Sequence, residues 1–144
     1  MAMASLSNLS EELKRVKVVL DTNSLIYSVE KPIDLQHHLS LVVPACFDLL
    51  VPASVINELK KMASEGKPKE RRLASLALKI AEKCHIVAER EASKPADQVI
   101  LERAKQEKWL VVTNDRSLRR QLRQQGVPVI FIKDRILRIE GEAP

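Results

Sequence analysis

Four acidic residues occupy positions where a folded chain tolerates a charge only if it has a partner. Asp21 and Asp115 each follow a β-branched apolar run, so they are predicted at the carboxyl ends of two buried strands. Glu58 and Asp97 fall on the apolar stripes of two predicted helices. Each must be paired, capped or metal-bound, because an isolated buried carboxylate is costly or becomes protonated.

All four acids can meet at one edge of a parallel sheet, where such folds place their sites. Carboxylates without a histidine form the donor set that hard divalent cations such as Mg²⁺ and Mn²⁺ prefer. Two such ions about 4 Å apart can activate water and stabilise the leaving oxygen in phosphodiester hydrolysis. We therefore expect these four residues to be both catalytic and metal-binding, with one or two ions.

Each acid also has an alternative explanation when it is taken singly. Asp97 can be a charge favoured by the dipole at a helix N-terminus. Glu58 can form a salt bridge with a neighbouring Lys or Arg, and Asp21 and Asp115 can cap the helices that follow them. These alternatives stay open for each residue, but together they explain less well why four acids share one edge.

The helix after Asp115 is strongly basic, and its arginines are predicted to bind a nucleic-acid backbone beside the acids. Arg116 and Arg119 are nearest to the predicted site, and the alternative is a solvated basic face. Aromatic residues make up only 3% of the chain, so recognition by backbone and shape is favoured over base stacking. The predicted contacts are Arg116, Arg119, Arg120 and Arg123.

The composition is that of a soluble protein with an aliphatic core. The 144 residues are predicted to form one domain, with 45% hydrophobic and 30% charged residues. A net charge of +5 and a pI near 9.4 favour a polyanionic partner. Cys46 and Cys84 lack zinc-ligand spacing with any histidine, and neither a secretory signal nor a membrane span is visible. We expect a cytoplasmic protein.

Strands and helices alternate along the chain, which predicts crossover connections and a parallel sheet with helices on both faces. The predicted fold is therefore a three-layer α/β/α arrangement around a central parallel five-stranded sheet. Asn23 or Ser24 is predicted to cap the first helix of this domain. The predicted strands are 16–20, 46–51, 85–88, 109–113 and 127–132. The predicted parts are an N-terminal amphipathic extension (1–15), the domain (16–138) and a C-terminal tail (139–144).

The order of these motifs resembles the PIN domain, a metal-dependent ribonuclease fold. The matching segments are 18–23, 51–59, 96–100, 111–115 and 126–130. The resemblance implies a sheet ordered 3-2-1-4-5, which puts the first and fourth strands side by side. It implies an acidic quartet of Asp21, Glu58, Asp97 and Asp115 around one or two Mg²⁺ or Mn²⁺ ions. It also implies supporting roles for Asn23 and Thr113, whereas Ala96 stands where the family often has another acid.

The resemblance also implies partners. PIN domains divide into toxin nucleases paired with antitoxins and stand-alone nucleases of RNA processing, including ribosomal RNA maturation. The Thr113-Asn114-Asp115 motif and the ending at 126–130 look closer to the stand-alone group. RNA bound through its backbone, a homodimer, and an antitoxin or ribosome-assembly protein are the expected partners, without a membrane.

Two other classes of function remain as alternatives. A catalytically weak RNA-binding or protein-binding PIN scaffold would be marked by a broken quartet, whereas here the quartet is intact. A phosphatase of similar architecture would need a second aspartate at the position of Asn23. A phospho-receiver would match Lys133 but would need an acidic pair beside the first strand, which this sequence lacks.

Overall fold

The apolar runs of the sequence form the strands of a single sheet. A computed structural model describes residues 15–89 and 94–141 of the chain. Within these residues the strands are β1 (Val16–Leu20), β2 (Phe47–Pro52), β3 (His85–Val87), β4 (Leu110–Val112), β5 (Val129–Lys133) and β6 (Ile136–Glu140). They lie in the order β3-β2-β1-β4-β5-β6, and β1 to β5 are parallel, which confirms the predicted arrangement.

Helices connect the parallel strands and cover both faces of the sheet. The helices within the described residues are α1 (Thr22–Glu30), α2 (Leu35–Val42), α3 (Ala53–Glu65), α4 (Pro68–Ala81), α5 (Ala96–Arg103) and α6 (Arg116–Gln124). None of these helices is long and apolar enough to cross a membrane.

The alternation of side chains along β1 explains the two apolar layers. Val18 and Leu20 belong to a core cluster shared with residues of α1 to α4, whereas Val19 belongs to a second cluster shared with α5 and α6. The second layer is completed by Trp109, which is 1% exposed. The sheet is therefore buried on both faces, as its continuous apolar runs indicate.

The sixth strand was not predicted from the sequence. β6 pairs antiparallel with β5 through a two-residue turn in which Asp134 and Arg135 have φ angles of 53° and 60°. A hairpin turn of this kind needs positive φ at both central residues and is usually marked by glycine. The turn was missed because neither residue is glycine. The strand runs to Glu140, and the predicted domain boundary at 138 stays a prediction.

The predicted amphipathic extension lies outside the described residues except for its last member. Arg15 donates from Nε and Nη2 to Asp48 Oδ1 at 3.0 and 2.8 Å, and from Nη2 to the Phe47 carbonyl oxygen at 3.0 Å. These contacts fix the entry of the chain into β1 against the start of β2.

Candidate active site

The four predicted acids line one cavity of about 410 Å³ at the carboxyl edge of the sheet. Asp21 directly follows β1, and Asp115 comes shortly after β4, the neighbouring strand with which β1 pairs. Glu58 reaches the cavity from α3 and Asp97 from the first turn of α5. The cavity is lined by Asp21, Thr22, Asn23, Glu58, Lys61, Met62, Ala96, Asp97, Asp115 and Leu118.

Asp21 is the most deeply buried of the acids, at 5% exposure. Its Oδ1 accepts a hydrogen bond from the Ser24 backbone N–H at 2.8 Å, and its Oδ2 accepts one from the Thr113 hydroxyl. Burial raises the pKa of Asp21 and the negative charge of Asp115 adds to this rise, whereas the hydrogen bonds oppose it. The carboxylate is held in one orientation at an electrostatic cost that a nearby cation would relieve.

Asp21 and Asp115 are linked through one buried hydroxyl. Thr113 has no exposed surface, and its Oγ1 donates to Asp21 and accepts the backbone N–H of Asp115 at 3.1 Å. Asp115 Oδ1 in turn accepts the backbone N–H of Leu118 at 2.9 Å. This chain of bonds fixes the relative position of the two strand-end carboxylates.

Both strand-end acids cap the helices that follow them. Asp21 is the N-cap of α1 and Asp115 is the N-cap of α6. The prediction that Asn23 or Ser24 caps the first helix was wrong, because the preceding aspartate already accepts the Ser24 N–H. Asn23 instead lies exposed in the first turn of α1, where it lines the cavity.

Glu58 has neutral hydrogen-bond donors as its partners. Its Oε2 accepts the hydroxyl of Thr22 at 2.6 Å, and its Oε1 accepts the backbone N–H of Ala96 at 3.1 Å. Pro95 is the N-cap of α5 and has no side-chain cap of its own, so Glu58 caps that helix from a distance. The alternative salt bridge to Lys or Arg is not formed with any cation of ranges 15–89 and 94–141.

The start of α3 is capped in the same way. Pro52 is its N-cap and provides no side-chain bond, but Glu89 Oε1 accepts the backbone N–H and the hydroxyl of Ser54 at 3.0 and 2.7 Å. The segment that precedes α5 therefore caps α3, while Glu58 of α3 caps α5. This reciprocal capping locks the two helices that carry Glu58 and Asp97.

Asp97 is more exposed than the helical pattern predicts. It lies in the first turn of α5 and is an exposed residue, and its Oδ1 accepts the backbone N–H of Gln98 at 2.9 Å. The expectation that it lies on the buried side was wrong, although the neighbouring Ala96 is only 3% exposed. The same position leaves its carboxylate at the cavity.

The chemistry of this donor set fits a hard divalent cation. The cavity offers carboxylate oxygens, and each carboxylate keeps acceptor capacity beyond the hydrogen bonds described. Among residues 15–89 and 94–141, no three His, Cys, Asp or Glu side chains are grouped closely enough to bind one metal ion as they stand.

None of the predicted arginines is among the described residues that line the acid cavity. The Arg119 guanidinium stacks 4.2 Å from the centre of the Phe131 ring and pairs with Glu140 at 3.3 Å. Arg123 donates to the Val127 carbonyl oxygen at 3.2 Å. Arg116 and Arg120 are exposed to solvent. The arginines that line grooves toward β5 and β6 are Arg116, Arg119, Arg120 and Arg123.

Two polar residues of the cavity were not predicted from the sequence. Thr22 donates the hydrogen bond that orients Glu58, and Lys61 is the basic residue of the lining. The signals were present, because Thr22 directly follows Asp21 and Lys61 lies three residues after Glu58 on the same helical face.

Comparisons with known proteins agree with this geometry. A family model described as a PIN like domain matches residues 18–135. Ribonuclease VapC9 of Archaeoglobus fulgidus is 33% identical over 116 residues, which cover 81% of this chain and 82% of that protein. Ribonuclease VapC4 of Methanocaldococcus jannaschii is 28% identical over 122 residues, which cover 83% of this chain and 92% of that protein.

Solved structures share the fold. The structure of the PIN domain endonuclease Utp24 superposes with a TM-score of 0.72 and 27% identity, over 88% of this chain and 92% of that one. A domain of a functionally unknown protein from Methanocaldococcus jannaschii superposes with a TM-score of 0.61 and 19% identity, over 90% and 96% of the two chains. The family match extends from β1 to the turn before β6, and this chain therefore belongs to the PIN domain family.

Proposed function

We propose that this protein is a metal-dependent endoribonuclease that hydrolyses RNA phosphodiester bonds in RNA processing, with ribosomal RNA as the substrate class. One observation carries the proposal. Four carboxylates from four separate segments line a single cavity in a member of a nuclease family. The likeness to the PIN domain endonuclease Utp24 supports cleavage within the strand, and the Thr113-Asn114-Asp115 motif favours the stand-alone role.

The residues of the cavity have separate roles in this proposal. Asp21, Asp97 and Asp115 bind Mg²⁺ or Mn²⁺, while Glu58 positions the ion or its water and holds the first turn of α5 through Ala96. Thr113 orients Asp21, and Asn23 supports the acidic cluster. A bound ion supplies an activated water and stabilises the leaving oxygen. PIN domain ribonucleases generally use divalent metal ions.

Cleavage of a structured and a single-stranded RNA in Mn²⁺ or Mg²⁺ tests the proposal. Asp115→Asn is expected to abolish cleavage, and Asp34→Asn serves as the matched control. Asp34 also caps a helix, through the His37 N–H at 3.2 Å, but lies outside the cavity. Asparagine caps a helix as well as aspartate does, so both variants should fold.

The same preparation allows a metal titration followed by thermal unfolding. Binding of the ion to the folded state should raise the Tm of the wild type, and it should raise the Tm of Asp115→Asn by a smaller amount. Wild-type cleavage rates in Asp115→Asn would contradict the proposal. An absence of metal binding in the millimolar range would favour the alternative of a catalytically weak RNA-binding scaffold.

A toxin-type ribonuclease is the second candidate, because both curated relatives described above are VapC ribonucleases. A toxin should arrest growth when its expression is induced, and Asp21→Asn should remove the arrest. Co-purification of a small protein that suppresses the arrest would identify an antitoxin. Absence of growth arrest together with cleavage of precursor ribosomal RNA would favour the processing role.

We also propose that the protein acts as a homodimer, as PIN domains frequently do. Light scattering coupled to size-exclusion chromatography measures the mass directly. A monomer mass at micromolar concentration would contradict this expectation. A ribosome-assembly protein is the further partner expected for the processing role.

A further inference from the structure

A groove between α6 and the β5–β6 hairpin carries the opposite charge to the acid cavity. It measures about 540 Å³ and is lined by four basic side chains. Its other lining residues are neutral, and no described acid lies among them. The basic side chains are Arg116, Arg119, Lys133 and Arg138.

The hairpin brings two of these cations to the groove by strand register. Arg138 pairs with Phe131, and Lys133 is two residues further along β5, so their side chains lie on one face of the hairpin. That face is turned to α6, because Arg119 of α6 stacks on the Phe131 ring. Arg138 is thus a groove residue that the helical pattern of arginines could not reveal.

The cations of the groove are not equally available. Arg119 is paired with Glu140 at 3.3 Å, so part of its charge is neutralised within the chain. Arg116, Lys133 and Arg138 are exposed, and no acid in the described part of the chain pairs with them. Three neighbouring unpaired cations repel one another, and an anion held between them would relieve this repulsion.

Other features of the groove limit what kind of anion fits. The side chain of Asn114 is occupied by the backbone of Ile132, with hydrogen bonds of 2.9 and 2.7 Å. The groove therefore presents positive charge and the Phe131 ring, while the Asn114 side-chain amide is already engaged. Such a surface binds phosphates without reading base edges.

We propose that this groove binds phosphate groups of a single-stranded RNA backbone, with Arg116, Lys133 and Arg138 as phosphate ligands. The route of the RNA strand from the acid cavity to this groove rests on the proposed function. Asp115 lines the acid cavity and the next residue, Arg116, lines the groove, so a strand whose reacting phosphate is at the acids places its flanking phosphates across the start of α6. An acidic protein segment is the competing occupant, and the test below includes it.

Fluorescence anisotropy of a short labelled single-stranded RNA, measured in EDTA, tests the groove without cleavage. The Lys133→Gln/Arg138→Gln double variant is compared with Arg71→Gln/Lys79→Gln, which removes the same charge from exposed positions of α4. The groove variant should bind roughly tenfold more weakly than wild type, and the control about as well as wild type. The negative slope of log K against log salt should become shallower by about 1.4 in the groove variant. Each of the two lost phosphate contacts to a single strand contributes about 0.7.

Equal RNA affinities of the two double variants would overturn the inference. So would loss of poly-glutamate binding in the groove variant with RNA binding retained, which would mark a surface for an acidic protein. Because binding is measured without metal, a protein that binds RNA through the groove but does not cleave it contradicts only the proposed function. Cleavage with an unchanged KM in the groove variant contradicts only this inference.

Discussion

The acid cavity and the basic groove lie on either side of the start of α6, and they are built in different ways. In the cavity, Asp21 and Glu58 have both carboxylate oxygens engaged by hydroxyl or backbone donors of their own chain. In the groove, Lys133 and Arg138 are long exposed side chains. The difference follows from the task proposed for each. A reaction needs oxygens in fixed positions, whereas attraction of a polyanion needs only charge nearby.

Asp21→Asn should give the largest effect, because it changes the most buried acid of the cavity. Cleavage should fall by more than about a hundredfold, since even loss of a supporting group around a metal site costs 10 to 100-fold. The stability of the metal-free protein should rise at neutral pH, because the amide removes the charge that burial disfavours. RNA cleavage and thermal unfolding in EDTA measure the two effects.

The sign of the stability effect depends on pH. Because the folded-state pKa of Asp21 is raised, its carboxylate increasingly destabilises the fold as the pH rises from the unfolded-state pKa to the folded-state value, and the advantage of asparagine should vanish in more acidic solution. An Asp21→Asn protein that is less stable than wild type at neutral pH would show that the carboxylate supports the cavity.

Thr113→Val should give the next largest effect. The change removes the hydroxyl that donates to Asp21 and accepts from the Asp115 N–H, both in a buried position. We expect a loss of about 1–3 kcal/mol in the free energy of unfolding, because polar groups are left without partners. Cleavage should fall by about 10 to 100-fold.

Thr113→Ser keeps the hydroxyl and is the matched control. It should retain most of the cleavage activity, although it loses a buried methyl group. Equal activity of the valine and serine variants would mean that the hydroxyl does not position the acids.

Glu140→Gln should change the groove in the opposite direction. It releases the guanidinium of Arg119 from its ion pair and adds one available cation to the groove. RNA binding in EDTA should become a few-fold tighter, with the salt slope steeper by about 0.7. The free energy of unfolding should change by less than about 1 kcal/mol, because the pair is partly exposed.

Glu107→Gln is the control for this charge change, since it breaks the pair with Arg103 at 2.7 Å outside both regions. It should leave RNA binding nearly unchanged. Equal tightening in both variants would attribute the effect to net charge and not to the groove.

Asp48→Asn should give the smallest effect and provides a pH contrast with Asp21. The hydrogen bond from Arg15 is the main cause that lowers the pKa of Asp48, which lies outside both regions. The ion pair is partly exposed, so its loss should cost less than about 1 kcal/mol at neutral pH. Because the folded-state pKa is lowered, this contribution is present above about pH 4 and is lost in more acidic solution. Unfolding in denaturant at neutral and acidic pH measures it.

The strands and strand-end acids could be predicted because their signals are local. A β-branched run that stops at a carboxylate predicts both the strand and the position of Asp21 or Asp115 at its end. The burial of Asp97 could not be predicted in this way. A helical stripe tells which residues share a face, but it does not tell how deeply each residue of that face is buried against the sheet.

The hairpin shows a second limit of local signals. Asp134 and Arg135 adopt positive φ angles although neither is glycine, so neither the turn nor β6 was predicted from the sequence. Because β6 was missed, Arg138 and its partnership with Lys133 in the groove were missed with it. The arginines of α6 were found, but Arg119 was not recognised as already paired with Glu140.

The sequence by itself determined the alternation of strands and helices and the positions of the two strand-end aspartates, because each depends on residues close together in the chain. The tertiary structure decided the partners of the acids. Thr113 reaches Asp21 from 92 residues away and Glu58 reaches Ala96 from 38 residues away. Such contacts depend on the order of the strands and the placement of whole helices, which no single segment of sequence specifies.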